Sequence, residues 1–101
     1  MSEKDRANLA ALVESVEKIK TFIAAIGSAD AFYQDEKTFD AVLMNFVIIG
    51  ETAGKLTTVV KEKIKSFRNL VAHNYFGVDA EEVWQIIHRD LPDLLLYLKQ
   101  K

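Results

Sequence analysis

Asn8-Leu9-Ala10-Ala11-Leu12-Val13-Glu14-Ser15-Val16-Glu17-Lys18-Ile19-Lys20-Thr21-Phe22-Ile23-Ala24-Ala25-Ile26 decides the fold. Its apolar positions Leu9, Leu12, Val13, Val16, Ile19, Ile23 and Ile26 recur at spacings of three and four. That is the period of a helix burying one stripe, and Gly27 is placed to stop it. Ser28 is a cap for a short helical turn through Ala31, Phe32 and Tyr33, which the polar run Gln34-Asp35-Glu36-Lys37 ends. Thr38 to about Leu56 reads as a further helix carrying Phe39, Val42, Leu43, Phe46, Val47, Ile49, Ala53 and Leu56. Its apolar residues spill around the axis near the middle, which means burial on more than one side. Two arrangements satisfy that: the centre of a bundle, or one face in the core and another in a dimer interface.

Beyond it, the β-branched cluster Thr57-Thr58-Val59-Val60 is poor helix material, so a break is expected there, followed by another helix through Arg68 to about Ala72. Asp79-Ala80-Glu81-Glu82 has the form of a capping box opening a helix with Val83, Trp84, Ile86, Ile87 and Leu91. Pro92 should start a new segment or kink that helix, and Leu94, Leu95, Leu96 and Leu98 continue the pattern. Strand signals are too weak to compete. The expected fold is all-α, an up-and-down bundle of four to five helices formed by residues 1–101 as one domain.

Composition narrows what such a bundle does. Half of the 101 residues are apolar and 28% are charged, as in a globular chain. There is no cysteine, which excludes disulfides and thiolate chemistry. No apolar run approaches the ~18 residues of a membrane span, and the charge-mixed start Met1-Ser2-Glu3-Lys4-Asp5-Arg6 leads into no signal-peptide stretch, so a cytoplasmic location without membrane contact is expected. The net charge of −2 gives no global attraction to nucleic acid. Locally the balance reverses: from Thr52 to Val78 the charged residues are Lys55, Lys61, Lys63, Lys65 and Arg68 against Glu62 alone. A lysine run by itself is most simply a solvated helix face. This one leads directly into Arg68-Asn69-Leu70-Val71-Ala72-His73-Asn74-Tyr75.

Those eight residues hold a guanidinium, an imidazole and a phenol. On a regular helix Arg68 and Tyr75 share a face, whereas His73 is rotated by about 140° from Arg68. Convergence needs either a helix ending near His73, as Asn74 and Gly77 suggest, or a second copy of the chain across a two-fold axis. The bland alternative is that His73 packs beside Leu70-Val71-Ala72. His88, beside Arg89 and Asp90, reads as surface, and two histidines without a carboxylate at ligand spacing make no metal site. No cofactor-binding motif is evident; Gly50 and Gly54 sit inside an apolar helix pattern, where they would permit close packing.

With its flanks Phe76-Gly77-Val78-Asp79, Val83-Trp84 and Asp90-Leu91-Pro92, the Arg68–Tyr75 segment closely resembles the HepT-like branch of the HEPN superfamily, and Ile48-Ile49-Gly50-Glu51-Thr52-Ala53 looks like that family's central helix. The resemblance implies a homodimeric helical bundle acting as a metal-independent endoribonuclease, the toxin of a prokaryotic toxin–antitoxin pair. Its implied partner is a small MNT-type nucleotidyltransferase antitoxin that silences it by attaching AMP to the motif tyrosine. By position, Arg68 and His73 would be the catalytic pair, Tyr75 a site residue and modification target, and Asn69 a polar neighbour. Lys61, Lys63 and Lys65 would border the RNA. RNA carries its own nucleophile in the 2′-hydroxyl, so a base, an acid and positive charge on the phosphate suffice. The sequence departs from the family in one place: relatives have a longer connection before the motif, containing proline and tryptophan, and Leu56 to Phe67 has neither. An alternative reading on the same residues is a non-catalytic helical dimer that docks a nucleotidyltransferase or binds nucleotide.

Overall fold

The first helix, α1 (Glu3–Ile23), begins five residues before the periodic stretch. Its start is set by polar chemistry: the Ser2 hydroxyl accepts the Asp5 N–H at 3.1 Å, and Glu3 and Asp5 lie at the positive end of the helix dipole. It also ends before Ile26. Ala24 and Ile26 donate to carbonyls three residues back, Thr21 and Ile23, so the chain tightens out of the α register there. Gly27 is not the stop that its position suggested. Its φ lies outside the left-handed region, and an added Cβ would meet nothing within 4 Å.

The computed structural model describes residues 2–55 and 80–100, and among these there is no strand. Helix α2 (Ala29–Gln34) is capped by Ser28, whose hydroxyl accepts the Ala31 N–H at 3.1 Å, as expected. Helix α3 (Glu36–Ala53) starts two residues before Thr38 because Asp35 works in both directions. Its N–H donates to the Ala31 and Phe32 carbonyls closing α2, and its carboxylate accepts the Thr38 N–H at 3.1 Å opening α3. The polar run that read as a connector is thus one residue of connection. Gly54 closes α3 in an ordinary right-handed conformation.

The C-terminal run is continuous. Helix α4 (Ala80–Gln85) passes through a π-helical turn, Ile86–Asp90, into α5 (Leu91–Lys99). Within the turn the Leu91 N–H reaches back five residues to the Ile86 carbonyl. Pro92 falls in the first turn of α5, where an N–H would have no helical partner in any case. The expected break at this proline is therefore a widening of the register. Asp79, proposed as the cap of α4, and the expected break at Thr57–Val60 lie outside the described residues.

The elements form an all-α bundle. α1 lies along α3 and touches α5, and α2 packs on both α3 and α4. The stripe Leu9, Leu12, Val16 and Ile19 of α1 is buried against Val42, Phe46 and Ile49 of α3 and Ile86, Leu91, Leu94 and Leu98 of the C-terminal run, in one core. At the α2 end the core is aromatic. The fully buried Phe32 ring lies 5.0 Å from Phe39 and 5.5 Å from Trp84, both tilted. One side chain of α2 therefore ties α3 to α4.

Helix α3 shows the two apolar faces that its wide apolar pattern implied. Phe39, Val42, Phe46, Ile49 and Ala53 face the core, while Met44, Val47 and Ile48 are 59%, 41% and 39% exposed. The helix has one face in this chain's core and a second, partly exposed apolar face that the other described residues do not cover.

Candidate functional site

In sequence, the motif falls between two well-anchored helix ends. Upstream, the last turn of α3 places Thr52 and Ala53 in the core, and Gly54 and Lys55 donate back to the Gly50 and Thr52 carbonyls. Downstream, α4 begins at Ala80 and is fixed within one turn by Val83, which is buried, and by Trp84 on Phe32. Positions 56–79 join these ends. Arg68, Asn69, His73 and Tyr75, and the lysines Lys61, Lys63 and Lys65, all belong to that stretch and lie outside the described residues.

Among the described residues, those that follow the motif in sequence begin on α4. On α4, Glu81 and Gln85 are joined by a side-chain hydrogen bond of 3.1 Å on the exposed surface. One turn on, His88 is exposed, as read from its polar neighbours. Its Nδ1 lies 2.9 Å from the Trp84 carbonyl, and its ring sits 4.2 Å from the indole. A carbonyl only accepts, so in this contact Nδ1 donates, and no described residue meets Nε2. Arg89 is bound to its neighbour Asp90 at 3.2 Å.

The described residues carry two further surface features. The first is the Met44, Val47 and Ile48 face, flanked on the same side of α3 by Asp40 and Glu51, both exposed. Its spacing was legible as a second apolar face. The second is a cleft between the end of α1 and the π-helical turn, which no motif announced because its walls come from segments more than sixty positions apart in the chain. No helix among the described residues is long and apolar enough to cross a membrane.

Comparison with known proteins bears on the chain as a whole. Residues 12–100 match the family model described as ribonuclease HepT-like. The chain is 29% identical over 102 residues to a protein of Thermococcus cleftensis named "Probable ribonuclease HepT", covering 93% of this chain and 92% of that one. It is also 29% identical over 102 residues to a Methanocaldococcus jannaschii protein named "Putative RNase", covering 92% of this chain and 84% of that one. A second protein of that organism, named as a gamma-glutamylcyclotransferase joined to an RNase of that kind, is 31% identical over 91 residues that make up 40% of its length. No solved structure matches.

Proposed function

Because the chain belongs to the ribonuclease HepT-like family, and is by that membership an endoribonuclease, we propose that it cuts RNA without a metal ion, through Arg68 and His73, as the toxin of a toxin–antitoxin pair, with residues 1–101 forming one HEPN domain. The observation that supports this reading is the family match across residues 12–100, a range that contains Arg68, Asn69, His73 and Tyr75. In the proposed reaction the RNA 2′-hydroxyl loses its proton to a base and its oxygen attacks the adjacent phosphorus. The bond to the 5′-oxygen breaks, an acid protonates that oxygen, and a 2′,3′-cyclic phosphate and a 5′-hydroxyl end result. His73 is the residue able to take or give the proton, and the Arg68 fork meets the charge gathering on the non-bridging oxygens. Asn69 and Tyr75 position the phosphate, and Lys61, Lys63 and Lys65 extend the positive field along the strand. The test is incubation of the purified chain with RNA in EDTA. Cleavage leaving cyclic phosphate ends is expected, and intact RNA at every enzyme concentration would refute the reading.

Control is proposed to act at Tyr75. An MNT-type nucleotidyltransferase would direct the phenol oxygen onto the α-phosphorus of ATP, expelling pyrophosphate and leaving AMP on the tyrosine. That adds bulk and negative charge where an RNA phosphate must sit. With the transferase and ATP, the wild-type chain should gain the mass of one AMP group and lose cleavage, while Tyr75→Phe should gain no mass and stay active to the extent that it cleaves RNA unaided. Modification of the Phe variant would move the target elsewhere.

The working unit is proposed to be a homodimer closed by the outer face of α3. Met44, Val47 and Ile48 present the apolar surface, and the exposed Lys37, Asp40, Glu51 and Lys55 along the same stripe supply charges of both signs. In a two-fold antiparallel pairing offset by one turn, Asp40 meets Lys55 of the other copy while Val47 and Ile48 meet at the centre. Val47→Asp buries an unpaired charge there and should raise the dimer dissociation constant by about 30-fold or more. Light scattering reads this directly, with far-UV dichroism unchanged because Val47 lies outside the core. A wild-type chain that is monomeric throughout would remove the dimer.

A further inference from the structure

The cleft between α1 and the π-helical turn has the make-up of a small-molecule site. It encloses about 300 Å³, at the low end of the range for such sites, and its walls are Ile23, Ile26, Ile87 and Pro92, with Leu91 and Ala24 completing them. Its remaining described lining residues are Lys20 and His88, and no acidic residue among the described residues borders it. Among the described residues the Lys20 ammonium has no ion pair, although Lys18 and Lys99 nearby in sequence or space are paired with Glu14 and Glu17. The His88 ring is held by the Trp84 carbonyl through Nδ1, and its Nε2 has no partner among the described residues. One wall is a π-helical turn, an irregularity found often at functional sites.

We propose that this cleft binds a small carboxylic acid with an apolar body, its carboxylate on the Lys20 ammonium and its body against Ile23, Ile26 and Ile87. An apolar trough alone would accept any greasy molecule. The cation at its border, paired with no described carboxylate, and a described lining without an acidic residue select the anion. His88 Nε2 is placed to accept from a hydroxyl on the same ligand. The site uses none of the residues assigned to RNA cleavage, so it stands or falls independently of that reading.

The experiment is amide-detected NMR titration of the full chain with naphthalene-1-carboxylate, beside naphthalene-1-carboxamide, which has the same body without the charge. Saturable shifts are expected at Ile23, Ala24, Ile26, Ile87, His88 and Leu91, with the carboxylate bound about fivefold more tightly than the amide, the worth of one exposed ion pair. Lys20→Met keeps the side-chain length and should bring the carboxylate down to the affinity of the amide. Ala24→Trp fills the cleft from an exposed position and should abolish binding of both probes while helicity is unchanged. Equal affinities for the two probes, shifts centred elsewhere, or no saturable shift at millimolar probe would each overturn the proposal.

Discussion

Replacing His73 by alanine is expected to lower RNA cleavage in EDTA by about 10²–10⁴-fold, the usual contribution of one positioned general acid or base. The helicity and thermal midpoint of the chain should stay close to wild type. The expectation separates two roles that a histidine beside Leu70-Val71-Ala72 can play. A packing residue lost to alanine costs stability and leaves the chemistry of the surviving folded molecules intact. A proton carrier lost to alanine removes the reaction and spares the fold. A drop in activity matched by a drop in the folded fraction would therefore return His73 to the core. If wild type and variant are equally inert, the motif is a docking or modification surface.

The same variant addresses how one histidine per chain serves a reaction that needs both a base and an acid. Around a two-fold axis the two copies of the motif can divide those tasks, which also answers the 140° separation of Arg68 and His73 on a straight helix. A mixed dimer carrying His73→Ala on one subunit should then lose most of its activity. Half of the wild-type rate is the outcome for two independent sites, and full activity would exclude a shared one.

The fold was readable where the signal was a repeated spacing and less so where it was a single polar atom. The stripe from Leu9 to Ile19 marked α1 because burial of one face forces a period of three and four. Its true start at Glu3 depended on one hydroxyl, that of Ser2, and the start of α3 on one carboxylate, that of Asp35. Neither leaves a periodic trace. The glycine expected to end α1 does not, since hydrogen bonds to Thr21 and Ile23 three residues back do so first. Pro92 was correctly read as a discontinuity, but its form, a π turn before it, depends on how Ile86, Ile87, Leu91 and Leu94 reach one core. At the candidate site the order is inverted. Motif and flanks in register identify the family from residue types alone, whereas the cleft at Lys20 and His88 depends on two segments distant in the chain and has no local signature.

The largest effect on stability is expected at Phe32, in the shortest of the N-terminal helices. Phe32→Ala should cost about 3–5 kcal/mol, since a fully buried ring loses its transfer energy and leaves a cavity between partners that cannot all collapse inward. For a domain of this size that is a large part of the total stability and corresponds to a fall of about 15 °C or more in the thermal midpoint. The neighbouring Tyr33 is an internal control. It is 63% exposed and meets Phe39 edge-on at 6.4 Å, so Tyr33→Ala should cost under about 1 kcal/mol although it removes a larger side chain. Urea titration of both variants decides the point, and Phe32→Ala within about 1 kcal/mol of wild type would contradict the packing described here. The consequence reaches the motif. Phe32 holds Trp84, and Trp84 with Val83 fixes the first turn of α4, the end to which residues 56–79 return. A loosened Trp84 should shift its fluorescence to the red and, at temperatures where the variant is still folded, reduce RNA cleavage. A side chain outside the motif would thereby affect catalysis by holding one of its two anchors.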